Sequence, residues 1–142
     1  MFSIYVTGTD TGIGKTLTSC TLLHALRGHG LRVAGMKPVA SGCSAIDGAW
    51  KNEDALALQA AGMAGLAYAD INPFALEHPL APELAARDAG VAIELLPILA
   101  AHARLASQVE ALVVEGVGGW AAPLSAGLMQ VDVVRMLRLP VV

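Results

Sequence analysis

The chain has 142 residues, of which 55% are hydrophobic, 4% aromatic and 15% charged. That is enough for a single domain with an aliphatic core, burying roughly two-thirds of its unfolded surface. A formal net charge of −3 and the lack of any basic run argue against nucleic acid as the main partner. No cationic segment leads into a long apolar one, and the charge-free stretches 55–69 and 116–131 are too short, or too broken by Gly and Pro, to span a membrane.

Taken in order, residues 4–7 (Ile-Tyr-Val-Thr) form an apolar, β-branched run that predicts a short buried strand. A turn punctuated by Gly8, Gly12 and Gly14 follows, and a helical pattern over 15–29 opens at Lys15-Thr16. Residues 31–36 predict a second strand ended by Lys37-Pro38, and 39–51 a small, polar loop. Asn52 is placed to cap an alanine- and leucine-rich helix. The span 70–92 is expected to be the least regular part, with Pro73, Pro79 and Pro82 breaking any long element. A long helix from Glu94 carries Leu95, Ile98, Leu99, His102, Leu105 and Val109 on one stripe, with Pro97 tolerated in its first turn. His102 reads there as a core-boundary residue. Residues 111–115 predict a third buried strand ending on Glu115, and a second glycine-rich loop follows. A helical pattern over about 128–138 leads to Leu139–Val142, which reads as a strand just begun. Alternating strands and helices imply parallel βαβ units in a doubly wound α/β sheet with helices on both faces. Cys20 and Cys43 lack metal-site or CxxC spacing, so a reduced, cytoplasmic pair is expected, with Cys20 buried in the first helix.

Strand, glycine loop, Gly-Lys-Thr and helix is the layout of a phosphate-binding P-loop. Glycines let backbone N–H groups approach phosphate oxygens, and the helix aims its positive end at the same anion. Lys15 supplies a cation for the β- and γ-phosphates, and the Thr16 hydroxyl is placed to ligate Mg2+. The loop is a variant, because five residues separate Gly8 from Gly14 and Thr9 stands where the first glycine of the common form would be. In a doubly wound sheet, ligands sit outside the carboxyl ends of the strands. The predicted ends, Thr7-Gly8, Lys37-Pro38 and Glu115-Gly116, therefore converge on one crevice. An acid ending an apolar strand matches the carboxylate that helps hold Mg2+ in P-loop nucleotidases. A cation at Lys37 would neutralise charge developing during transfer. For Asp54, a metal role and a plain first-turn helix acid are equal readings of the residues.

Four blocks, TGTDTGIGKT at 7–16, KPVASG at 37–42, NEDALAL at 52–58 and VEGVGGWAAPLS at 114–125, resemble dethiobiotin synthetase of biotin biosynthesis, as does the NPF/AP region at 72–82. The resemblance implies an ATP-dependent ligase that closes a ureido ring from 7,8-diaminopelargonate and CO2 through a carbamate and a carbamic-phosphoric anhydride. ATP would lie on Gly12, Ile13, Gly14, Lys15, Thr16, Leu17, Asp54, Glu115, Gly116, Val117 and Gly118. Thr16, Asp54 and Glu115 would hold Mg2+, which tips Asp54 towards the metal. Lys37 would be the catalytic cation, and Thr11 and Ser41 would touch the diamine or carbamate. Gly12 stands where some relatives have an acid. Members of the family continue past this point with purine-binding segments and much of a homodimer surface, so a fold incomplete at its C-terminus is implied. The chain alone is then expected to be neither a stable fold nor a competent enzyme. The other readings of the residues are a nucleotide-binding remnant without turnover and a partition-type regulatory ATPase, whose usual GKGGxGK[ST] loop is absent.

Overall fold

The structure, a computed structural model, describes residues 1–142. Its centre is three parallel strands: β1 (Phe2–Val6), β2 (Val33–Met36) and, between them, a later strand over Ala111–Glu115. The alternation of each strand sends successive side chains to opposite faces. Ile4, Val6, Val33, Ala111 and Val113 join Leu23, Leu58 and Ala61 in one apolar cluster. Tyr5, Ala34, Met36, Leu112 and Val114 join Ile98, Leu105 and Val133 in a larger one on the other side. Helix α1 (Lys15–Gly28) and α2 (Glu53–Ala61) pack on the first face. The sheet is thus covered on both faces, as expected of a doubly wound α/β fold.

Register is what positions the site. Val6 lies opposite Glu115, and Met36 opposite Val114. Lys37, one residue past Met36, therefore emerges level with Glu115 and with the start of the glycine loop. At the outer edge of β1, Val141 pairs in parallel with Tyr5, and Thr7 N–H donates to the Val142 carbonyl at 2.9 Å.

The expected loops hold more structure than predicted. Within 39–51 lie β3 (Val39–Ala40) and a hairpin of β4 (Ser44–Ile46) with β5 (Ala49–Lys51). Asp47 and Gly48 at its tip both have positive φ, the backbone a tight two-residue turn requires. The span 70–92 holds no long element, as its prolines predict, but it does hold short ones. It contains the second half of α3 (Tyr68–Ile71), β6 (Phe74–Ala75) paired with β3, and α4 (Pro82–Asp88). Pro82 starts α4 at its first turn, where a missing N–H costs nothing, instead of breaking it. Helix α5 (Leu95–Ala106) ends before Val109, which is buried because the chain there turns towards the central strand, β7 (Ala111–Glu115). Beyond it come the short strands β8 (Pro123–Ser125) and β9 (Leu128–Met129), then α6 (Gln130–Leu137). Both cysteines are free; Cys20 is half-buried, not buried. No helix is long and apolar enough to cross a membrane.

Candidate active site

The loop between β1 and α1 turns at Gly12 and Gly14, whose φ values of +76° and +103° suit glycine. Gly14 is the N-cap residue of α1, no side chain caps that end, and no acid occupies the first turn. The N-terminal N–H groups of a 14-residue helix are therefore open to an anion. Lys15 is buried beneath the loop, and its Nζ donates to the Asp10 carbonyl at 2.6 Å. Burial, and then repulsion from Lys37, lower the Lys15 pKa, against the pull of Glu115, Asp54 and Asp10.

The chemistry converges behind this loop. Glu115 is 0% exposed, and its Oε1 accepts from Thr16 Oγ1 and from Lys37 Nζ, each at 2.8 Å. Lys37, only 4% exposed, also lies 3.3 Å from Asp54 Oδ2 and donates to the Gly116 carbonyl at 3.3 Å. An ammonium thus stands between two carboxylates, the electrostatic environment that a cation needs. Glu115 Oε2 is buried with no hydrogen-bond partner. A buried acceptor left in that state is costly unless a donor or a cation reaches it. A hydroxyl and two carboxylates, one of them with an orphaned oxygen, fit a hard, oxygen-seeking divalent ion completed by phosphate and water. No group of three His, Cys, Asp or Glu side chains is present, so protein carboxylates alone make no closed metal cage. The negative charge also acts behind the sheet: burial, and then Glu115, push the Tyr5 phenol well above its ordinary range.

These groups line a cavity of about 390 Å³. Of the residues singled out in the sequence, its wall includes Thr11, Gly12, Gly14, Lys15, Thr16 and Leu17 from the loop and α1. It also includes Lys37, Ser41, Asp54, Glu115, Val117 and Gly118. Ile13 and Gly116 do not line it; the Ile13 side chain lies against Gly8, and Gly116 lies against Gln130. A second cavity, about 460 Å³, shares Thr11, Ser41, Val117 and Gly118 with the first and extends to Pro79 and Leu80.

Several residues support the site in roles that the sequence did not indicate. Gln130, buried at the start of α6, accepts from Val117 N–H at 2.7 Å and donates to the Gly119 carbonyl at 2.9 Å, clamping the second glycine loop. Gly119 approaches the phosphate loop so closely that a Cβ there would stand 2.8 Å from the Thr9 carbonyl oxygen. Asn52 does cap α2 as predicted, accepting from Ala55 N–H at 3.2 Å. It also lines the first cavity, which its capping role gave no reason to expect.

The chain is 64% identical over 140 residues to a protein of Xanthomonas oryzae pv. oryzae (strain PXO99A) named ATP-dependent dethiobiotin synthetase BioD. Proteins of the same name in Xanthomonas campestris pv. campestris (strain B100) and Xylella fastidiosa (strain 9a5c) are 62% and 59% identical. Each match covers 99% of this chain and 62% of the relative, so the chain spans under two-thirds of the length of the curated relatives it matches. The family described as AAA domain matches residues 3–142. With a P-loop at the head of α1, a parallel sheet flanked by helices and that match over nearly its whole length, the chain belongs to the AAA domain family.

Proposed function

We propose that this chain is the phosphate- and carbamate-handling domain of a cytoplasmic, ATP-dependent dethiobiotin synthetase that works as a homodimer. One amine of 7,8-diaminopelargonate adds to CO2 and loses a proton, giving a carbamate. The carbamate oxygen attacks the γ-phosphorus of ATP, expelling ADP and forming a carbamic-phosphoric anhydride. The second amine then attacks the carbamoyl carbon, and phosphate leaves as the ureido ring closes.

The observation that carries this reading is the buried Lys37 ammonium, held between Glu115 and Asp54 in the wall of the first cavity, which shares Thr11 and Ser41 with the second. A fixed cation there faces both a phosphate on the loop and a carboxylate-like acceptor beside Thr11 and Ser41. Such preorganised charge is most effective where charge shifts during transfer. The loop amides and Lys15 hold the phosphates. Thr16, Asp54 and Glu115 would hold Mg2+, which when bound neutralises phosphate charge. The apolar wall at Pro79 and Leu80 suits the carbon chain of the diamine.

The test is ADP release from MgATP with the diamine and bicarbonate added singly and together. Release that needs both, with dethiobiotin formed in step, is the expected result. Brisk hydrolysis without the diamine indicates a regulatory ATPase, and nucleotide binding without any turnover indicates a binding remnant.

A further inference from the structure

We propose that Tyr68 and Asn72 form a positioning pair that sets Lys37, Ser41 and Asp54 against one another, and that this is the work of Asn72 in the Asn-Pro-Phe segment. The inference rests on the reading of Lys37 and Asp54 given above, and it concerns residues that neither cavity contains.

Lys37 lies just past the end of β2, an edge strand of the central sheet, so its backbone has no strand partner there. Residues 71 and 72 supply both bonds: Lys37 N–H donates to the Ile71 carbonyl at 2.7 Å, and Lys37 C=O accepts from Asn72 Nδ2 at 2.8 Å. The same Nδ2 donates to the Phe74 carbonyl at 3.2 Å, which uses both amide protons. Asn72 Oδ1 is then the acceptor end, and it takes the Tyr68 hydroxyl proton at 3.1 Å. With its one proton committed, the Tyr68 oxygen accepts from Asn52 N–H at 2.8 Å. Asn52 caps α2 and reaches the Ser41 carbonyl with Nδ2 at 3.4 Å. Every polar group in this chain of bonds has one permitted direction.

The network therefore joins the backbone that carries Lys37, the backbone of Ser41 and the first turn of α2, where Asp54 sits. Asp54 belongs to a short helix on a different segment from Lys37, yet their charged atoms are 3.3 Å apart. Charged groups must be held to within roughly 0.5 Å for efficient chemistry, and supporting hydrogen bonds of this kind do so.

The chain has three lysines, Lys15, Lys37 and Lys51, so 15N-lysine labelling gives a side-chain ammonium spectrum simple enough to follow Lys37 alone. Tyr68→Phe removes only the hydroxyl. Asn72→Asp is isosteric but replaces both Nδ2 donors with a carboxylate oxygen, an acceptor facing the Lys37 and Phe74 carbonyls. In both variants the Lys37 ammonium should shift and exchange faster with water, while Lys15 stays in place. Val109→Ala, a core deletion at the opposite end of β7, should leave the Lys37 signal unmoved. With Mn2+ replacing Mg2+ in the nucleotide complex, both variants should lose about tenfold in Mn2+ affinity, while ATP affinity without metal holds. An unchanged Lys37 signal in Tyr68→Phe, or an equal shift in Val109→Ala, overturns the positioning role. Tyr68→Phe decides the matter even where Asn72→Asp does not fold. A wild-type chain with no nucleotide-dependent Mn2+ site overturns the metal reading instead, and the Lys37 signal still decides the positioning role.

Discussion

At the scale of single residues, the site is governed by one buried carboxylate. Glu115 has no exposure, and its charge is offset by Lys37 at 2.8 Å and by the Thr16 hydroxyl at the same distance. Removing the Lys37 ammonium leaves a buried charge uncompensated, a far larger effect than losing a surface ion pair such as Arg32–Glu110. Lys15 is different, because its Nζ contacts only a carbonyl and remains available to an anion. Lys15→Ala should leave the fold intact and weaken ATP binding by about 1.5–3 kcal/mol, roughly ten- to a hundredfold or more in Kd. Isothermal titration measures this directly; unchanged affinity would show that the loop does not hold the phosphates.

At the scale of elements, α5 carries the one histidine with a resolved shift. Burial lowers the His102 pKa below its ordinary value, and its Nε2 is buried without a partner. The unfolded chain, with a histidine pKa near 6.5, then binds a proton at pH values where the folded chain does not. Stability therefore rises with pH through that window: it is fully present above about pH 6.5 and is lost progressively as pH falls towards the lower, folded pKa. His102→Leu, which puts an apolar, non-titrating side chain on the same stripe, should reduce the fall in Tm between about pH 7 and 5.5 relative to wild type. Identical acid sensitivity in the two proteins would mean that His102 is hydrated in the folded state. Element reading also shows where local signals were present but weak. Asp47-Gly48 is a strong two-residue turn signal, yet the flanking Ser44–Ile46 and Ala49–Lys51 segments lack the bulky alternation that marks a strand. Proline was read as a breaker at Pro82 although the first helical turn accepts it, as Pro97 does in α5.

At the scale of the whole molecule, three segments distant in sequence form one charged centre, so ligand binding should be linked to global stability. A ligand that binds only the folded state, at a hundred times its Kd, stabilises by about 2.7 kcal/mol. Mg-nucleotide should therefore raise the Tm by several degrees in scanning calorimetry. Lys15→Ala should abolish most of that shift at the same nucleotide concentration. An equal shift in the variant would place the nucleotide elsewhere on the molecule.

The amino-acid sequence by itself determined the contiguous parts: the strand–loop–helix at 4–17, the Asn52 cap, and the β-branched run ending on Glu115. Each is a local pattern, in which residue spacing alone dictates backbone conformation. It also indicated that three strand ends would meet, because parallel strands bring their carboxyl ends to one side of a sheet. Only the tertiary structure decided the distances. Thr16 meets Glu115 across 99 positions of sequence, and Lys37 meets Glu115 across 78. Those contacts follow from the register of β1 and β2 on β7, which no local spacing encodes. The roles of Tyr68, Asn72 and Gln130 were illegible for the same reason. A polar side chain reads as a surface residue until the fold shows which distant carbonyl or N–H it is buried against.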